Sequence, residues 1–162
     1  MREHLDLFWT NRELDARGWN RSEVDELHLL IEIPAGPVDE RFDSYFLKIG
    51  AEYYDAYPPT VLFVEPIDGL PRARANTEWW PRLNSTPGWI QLHDSYQYQE
   101  NGSSYEGQLV CCSVTAEYYI SGHVPTDSQL WSTGERTVAA TLSRISEILA
   151  PPFYGGPSAP RH

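Results

Sequence analysis

Cysteine is nearly absent from this chain: there are two, Cys111 and Cys112, and they are neighbours. A disulfide between adjacent residues is strained and rare, so no disulfide framework holds the fold. Basic residues are scarce too, 12 Lys and Arg against 23 Asp and Glu, for a net charge of −11. Nucleic acid and anionic membranes are bound through clustered Lys and Arg, so neither is an expected partner. The acidity serves solubility or steers a basic partner. No run approaches the roughly 18–20 apolar residues of a membrane span. The opening Met1-Arg2-Glu3-His4-Leu5-Asp6 is charged and lacks the apolar stretch of a secretory signal, which makes the cytoplasm the expected compartment. Also missing are a glycine-rich phosphate loop, a Ser-His-Asp set in recognisable context and a His-Glu-x-x-His helix, and no cofactor is expected.

Aromatic side chains are abundant, with 6 Trp and 10 Tyr, and hydrophobic residues make up 41% of the 162. That length and composition suit one core, placed in a single domain over residues 1–154 with a disordered tail from Gly155 to His162. Leu5, Phe8 and Trp9 at helical spacing predict that the first 25 residues are helical, with an interruption at Gly18-Trp19-Asn20-Arg21-Ser22. Three strands follow. Leu27, Leu29, Ile31 and Ile33 alternate with His28, Leu30 and Glu32 up to Pro34. Tyr45, Leu47 and Ile49 alternate up to Gly50, and Thr60-Val61-Leu62-Phe63-Val64 is an unbroken apolar run. The turn-rich link Gly36-Pro37-Val38-Asp39-Glu40-Arg41 makes this an antiparallel meander.

Residues 66–104 mix Pro, Gly, Asn and Ser with Trp79, Trp80, Trp89, Tyr96 and Tyr98. They predict a long ordered loop region with one short strand near 89–92. The Trp79-Trp80-Pro81 cluster fits either loop packing or a docking patch. At the other end, Ser132 and Glu135 form a capping box, Val138, Leu142, Ile145 and Leu149 fall on one helical face, and Pro151-Pro152 ends the helix.

Phe46-Leu47-Lys48-Ile49 followed by Tyr57-Pro58-Pro59-Thr60-Val61-Leu62-Phe63 resembles the second and third strands of ubiquitin-conjugating enzymes around their Tyr-Pro-Pro turn. Gly107-Gln108-Leu109-Val110-Cys111-Cys112 is similar to their active-site segment, with one extra residue. Trp131, the following helix and Pro151-Pro152 are similar to their closing pattern. The resemblance spans roughly residues 27–153 and implies an α+β, UBC-like fold: N-terminal helix, antiparallel β-meander sheet, long aromatic-rich loop region and C-terminal helix. The family's His-Pro-Asn tripeptide is missing, with Gln99-Glu100-Asn101 in its place, so the chain looks like a divergent bacterial relative. The implied activity is carriage of a ubiquitin-like modifier as a thioester, with an activating enzyme as second partner. The alternative is a catalytically silent binding module of the same pathway.

Alternation separates the thiols. In an extended 109–120 segment, Val110, Cys112, Val114, Ala116, Tyr118 and Ile120 share the apolar face, and Leu109, Cys111, Ser113, Thr115, Glu117 and Tyr119 share the other. Cys112 is then a small buried hydrophobe, and Cys111 the accessible nucleophile that takes the modifier's carboxyl terminus. Asn101 is either an oxyanion donor or a turn residue of Asn101-Gly102. Glu100, Glu106 and Glu117 nearby raise a thiol's pKa. A further alternative is a zinc site drawn from Cys111 or Cys112, Glu117, His123 and His93, although their spacing matches no closed motif.

Overall fold

The computed structural model describes residues 17–54, 56–67, 77–100, 102–124, 126, 130–132 and 137–160. Among them are strands β1 (Asn20–Glu23), β2 (His28–Val38), β3 (Arg41–Gly50), β4 (Thr60–Val64), β5 (Pro81–Leu83), β6 (Ile90–Glu100), β7 (Ser103–Cys112) and β8 (Tyr154–Pro157). Helices α1 (Ala116–Ile120) and α2 (Val138–Ile148) complete the regular structure. Six strands form one antiparallel sheet in the order β1-β2-β3-β4-β7-β6, and β5 pairs with β8 in a second, two-stranded sheet. The protein is therefore mostly antiparallel β, which overturns the α+β, UBC-like arrangement with helices at both ends.

The meander forms where alternation predicts it. Register aligns Leu29 with Ile49 and Ile49 with Val61, and likewise Ile31 with Leu47 and Leu47 with Phe63. These side chains make the inner face of the sheet and belong to the core. Asp39 and Glu40 both take positive φ at the β2–β3 turn, the geometry that matches a two-residue hairpin to strand twist. Strand β2 continues past Pro34 to Val38, further than the residue pattern alone predicts. Gly36, at φ +106°, allows this: a Cβ there would meet the Arg41 carbonyl at 2.9 Å, and its own N–H donates to the Leu149 carbonyl.

Helix α2 packs Val138, Leu142, Ile145 and Leu149 into the core, as their spacing predicts. Its start differs. Thr137 is the N-cap and makes no side-chain cap bond, so the helix begins after the Ser132–Glu135 pair, and Glu135 lies outside the described residues. Trp80 is fully buried in the same core and Trp79 meets Phe46 edge-on at 5.7 Å, so this pair packs the loop.

Three further expectations are corrected. Residues 1–16 of the expected N-terminal helix lie outside the described residues, but Asn20–Glu23 is a strand on the sheet edge and Trp19 is buried. A short polar strand with one large apolar neighbour carries too little period to distinguish it from a broken helix. The expected loop at 66–104 holds β5 and the whole of β6, which pairs with β7 in a long hairpin. Ile90 and Leu92, then Tyr96 and Tyr98, alternate with polar residues along β6, but Asp94-Ser95 interrupts the pattern where the register shifts. The expected disorder from Gly155 does not hold for β8. Arg82 donates to the Gly155 carbonyl, Asn84 Nδ2 to the Tyr154 carbonyl at 3.2 Å, and Ser158 N to the Trp80 carbonyl at 2.8 Å.

A buried hydroxyl chain ties this second sheet to the first. Tyr45 OH lies 2.7 Å from Tyr154 OH, and Tyr154 OH donates to Asp43 Oδ2 at 2.6 Å. Among the described residues no helix is long and apolar enough to cross a membrane. Tyr154→Phe removes the bridging hydroxyl and its hydrogen bonds to Tyr45 and Asp43; chemical denaturation is expected to show a loss of about 1–2 kcal/mol. Ile145→Ala opens the core beneath α2 and is expected to cost about 2–5 kcal/mol in the same assay.

Candidate functional site

The outer face of the sheet is made by the other half of each strand. Leu30, Lys48, Leu62, Leu109 and His93 follow one another across β2, β3, β4, β7 and β6. One register step away come His28, Gly50 and Thr60. A groove of about 570 Å³ lies on this face. His28, Glu52 and Thr60 line one end; Tyr96, Tyr98 and Glu117 line the other, with Lys48 and Leu62 between.

At the first end His28 stands between two carboxylates. Its Nδ1 is 2.9 Å from Asp25 Oδ1 and its Nε2 2.6 Å from Glu52 Oε1. Thr60 Oγ1 donates to the second Glu52 oxygen at 3.0 Å. The Asp25 carboxylate also accepts the Leu27 and His28 N–H groups, and these donors, Leu27 N–H first, lower its pKa. Gly50 is the floor of this cluster. A Cβ there would come within 2.2 Å of Thr60 Oγ1 and 2.4 Å of Glu52 Oε2, so only a residue without a side chain lets both approach the backbone.

At the second end β4 and β7 part after a single paired position, Leu62 with Leu109. Helix α1 fills the gap. Ala116 N–H donates to the Pro59 carbonyl at 3.0 Å, and Val61 N–H donates to Glu117 Oε1 at 2.9 Å. The turn before α1 is held by Thr115, whose hydroxyl reaches the Val110 carbonyl at 2.7 Å, and by Thr141 of α2, which donates to the Val114 carbonyl at 2.7 Å. Glu117 is 2% exposed, and its Oε2 has no hydrogen-bond partner among the described residues. Burial, against the Val61 N–H bond, pushes its pKa up to about 8. The buried site thus favours the protonated acid over the carboxylate.

The thiols fall on opposite faces. Cys112 is in the core, and burial pushes its pKa up to about 11. Cys111 points to the outer face but is only 5% exposed, so the expected accessible thiol is covered. The reason is local: the extended segment ends at Cys112, and residues 113–120 turn into α1, which lies against β7. Cys111 Sγ is 3.9 Å from His123 Nδ1 and 4.0 Å from Nε2. Near-equal distances place the sulfur beside the ring as a whole and not in line with one nitrogen. The Nδ1 is also 3.0 Å from Ser121 Oγ, and the ring stacks on Tyr118. Burial first, then the Glu117 charge, raises the Cys111 pKa, so the thiolate is disfavoured.

Asn101 lies outside the described residues. His93 and His123 both line a shallow depression of about 540 Å³ beside the groove. Among the described residues no group of three or more His, Cys, Asp or Glu could hold a metal ion, so the Cys/Glu/His set does not assemble. Sequence reasoning missed Asp25, His28, Glu52 and Thr60. A signal existed in His28, a titratable residue that opens a largely apolar strand, with Asp25 three residues before it. Glu52 comes to His28 only through the β2–β3 pairing.

The state of Glu117 has a consequence for stability. Its pKa rises from 4.5 to about 8 on folding, so between those values the native state holds a proton that the unfolded chain has released. Stability therefore falls as pH rises through this window and stays lower above it, by roughly a few kcal/mol. Glu117→Gln is expected to abolish that slope; denaturant midpoints of both proteins from pH 5 to 9 check it.

No family model, no curated protein and no solved structure matches this chain.

Proposed function

We propose that this protein is a binding module whose ligand lies in the outer-face groove between His28 and Glu117. One observation carries the reading. Glu117, 98% buried by its 2% exposure, lines the groove with one oxygen on Val61 N–H and the other unmatched. A buried polar atom without a partner costs about 1–3 kcal/mol, a cost that a molecule, water or ion bound beside it would offset. Support comes from the opposite end, where Gly50 leaves room for a hydrogen-bonded cluster to sit against the sheet. Exposed Tyr53 and Ile120 also line the groove and give it an apolar margin.

A fragment screen followed by backbone amide spectra tests this. Ligands are expected to shift the Thr60 and Val61 amides, and Glu117→Leu is expected to remove those shifts while the core resonances stay. Shifts confined to other surfaces, or none at all, would count against the groove.

A second reading keeps the thioester chemistry. The His123 ring beside Cys111 favours it, since an imidazole can take the thiol proton as sulfur attacks an activated carboxyl carbon and the activating enzyme's thiolate leaves. The raised thiol pKa and the 5% exposure weigh against it. With a ubiquitin-like modifier, an activating enzyme and ATP, a thiol-sensitive upshift on a non-reducing gel is expected to survive Cys112→Ser and vanish in Cys111→Ser. Absence of any upshift discards this reading.

A further inference from the structure

Three connections meet at the His28 end of the sheet and leave an apolar, aromatic surface in solvent. They are residues 24–27 before β2, 51–59 between β3 and β4, and 116–124, which include α1. Ala51 N–H donates to the Leu27 carbonyl at 2.9 Å and Ala116 N–H to the Pro59 carbonyl at 3.0 Å, so the three are tied side by side. Leu27, Tyr53, Tyr57 and Ile120 project from them, each between 46% and 59% exposed. The Tyr57 ring meets Tyr119 edge-on at 5.7 Å, and Tyr119 meets Tyr118 at 5.5 Å. Large apolar groups scattered singly on a surface are ordinary. Four on adjoining segments, with further rings beside them, mark a contact surface.

Charge defines the partner that fits. Residues 24–27, 51–59 and 116–124 contain no Lys and no Arg. The exposed charges beside the apolar groups are carboxylates, Asp25 and Glu26 on the first connection and Glu52 on the second. The cations nearby are His28 and Lys48, and Lys48 is 9% exposed. Three carboxylates against at most two cations leave this end negative whether His28 is neutral or charged. The chain's net charge of −11, counted with His neutral, likewise stays negative with all five His protonated. Tyrosine rings and carboxylates together suit arginine. Its guanidinium packs flat on a ring while its N–H fork meets a carboxylate, which the compact lysine ammonium cannot match.

We propose that this end of the sheet docks a positively charged, arginine-bearing segment of a partner protein. Guanidinium groups lie on the Tyr53 and Tyr57 rings against the Glu26 and Glu52 carboxylates, and apolar neighbours pack on Leu27 and Ile120. The surface rims the groove and needs nothing bound within it, so it goes beyond the groove reading. A second copy of this chain would meet it with charge of the same sign, and so would nucleic acid.

The probes are the blocked peptide Leu-Arg-Gly-Arg-Leu and its counterparts with Lys or Glu in place of Arg, titrated against the full chain while backbone amides are followed. The arginine peptide is expected to shift the amides of Tyr53, Tyr57 and Ile120. It is expected to bind about threefold more tightly than the lysine peptide and about tenfold more tightly than the glutamate peptide. Its affinity is expected to fall about tenfold between roughly 0.05 and 0.5 M salt. Tyr57→Ala is expected to weaken it about fivefold, and Tyr53→Ala, a second position, guards against a local folding defect in the first. Glu26→Lys is expected to weaken it about fivefold. Glu147→Lys makes the same change in net charge on α2, across the sheet, and is expected to stay within about twofold. Shifts confined to other surfaces, equal binding of the lysine or glutamate peptide, equal losses in Glu26→Lys and Glu147→Lys, or no binding would each overturn the proposal and leave the groove reading as it stands. A blank fragment screen with arginine-peptide binding intact would overturn the groove reading alone.

Discussion

The contact between the Glu117 carboxyl and the Val61 amide holds the outer face together. Where β4 leaves β7 it exposes a backbone N–H that no strand answers. A buried N–H must be matched, and a five-residue helix brings a side chain to do it. The same choice has two further effects. It lays α1 over β7, which covers Cys111, and it places a carboxyl in an environment that keeps it protonated. The chemistry available on this face follows from how one sheet amide is satisfied.

Division of labour between the two faces explains why the groove can be polar at all. The inner face carries most of the apolar burial, with Ile31, Leu47 and Phe63 in one row and α2 closing over them. With the core supplied there, the outer face is free to hold His28, Lys48, Thr60 and Glu52. Hydrophobic burial at roughly 25 cal/mol per Å² makes that face affordable only because the inner one is so fully packed.

Much of the fold was legible from residue order. Strand β4 occupies Thr60–Val64 as its apolar run predicts, and the α2 core face is the one that the spacing of Val138, Leu142, Ile145 and Leu149 marks. Placement of Cys112 in the core also follows from alternation over Leu109 to Cys112. The overall class was misjudged because the alternation of β6, Ile90 and Leu92 and then Tyr96 and Tyr98, is broken by Asp94-Ser95 and set among Pro, Gly and Asn, and Tyr154-Gly155-Gly156-Pro157 of β8 resembles a tail. Their strand state comes from partners far along the chain.

Local periodicity, then, determined which side chains of β2, β3, β4 and α2 face inward, since a strand or helix presents its residues at fixed angular intervals whatever surrounds it. Tertiary structure alone decided the site. Asp25 and His28 are three residues apart, yet Glu52 reaches them only through strand pairing, and Glu117 meets Val61 across 56 residues of sequence. Whether a thiol is open or a carboxyl is charged depends on what packs over it, and packing between distant segments leaves no period in the chain.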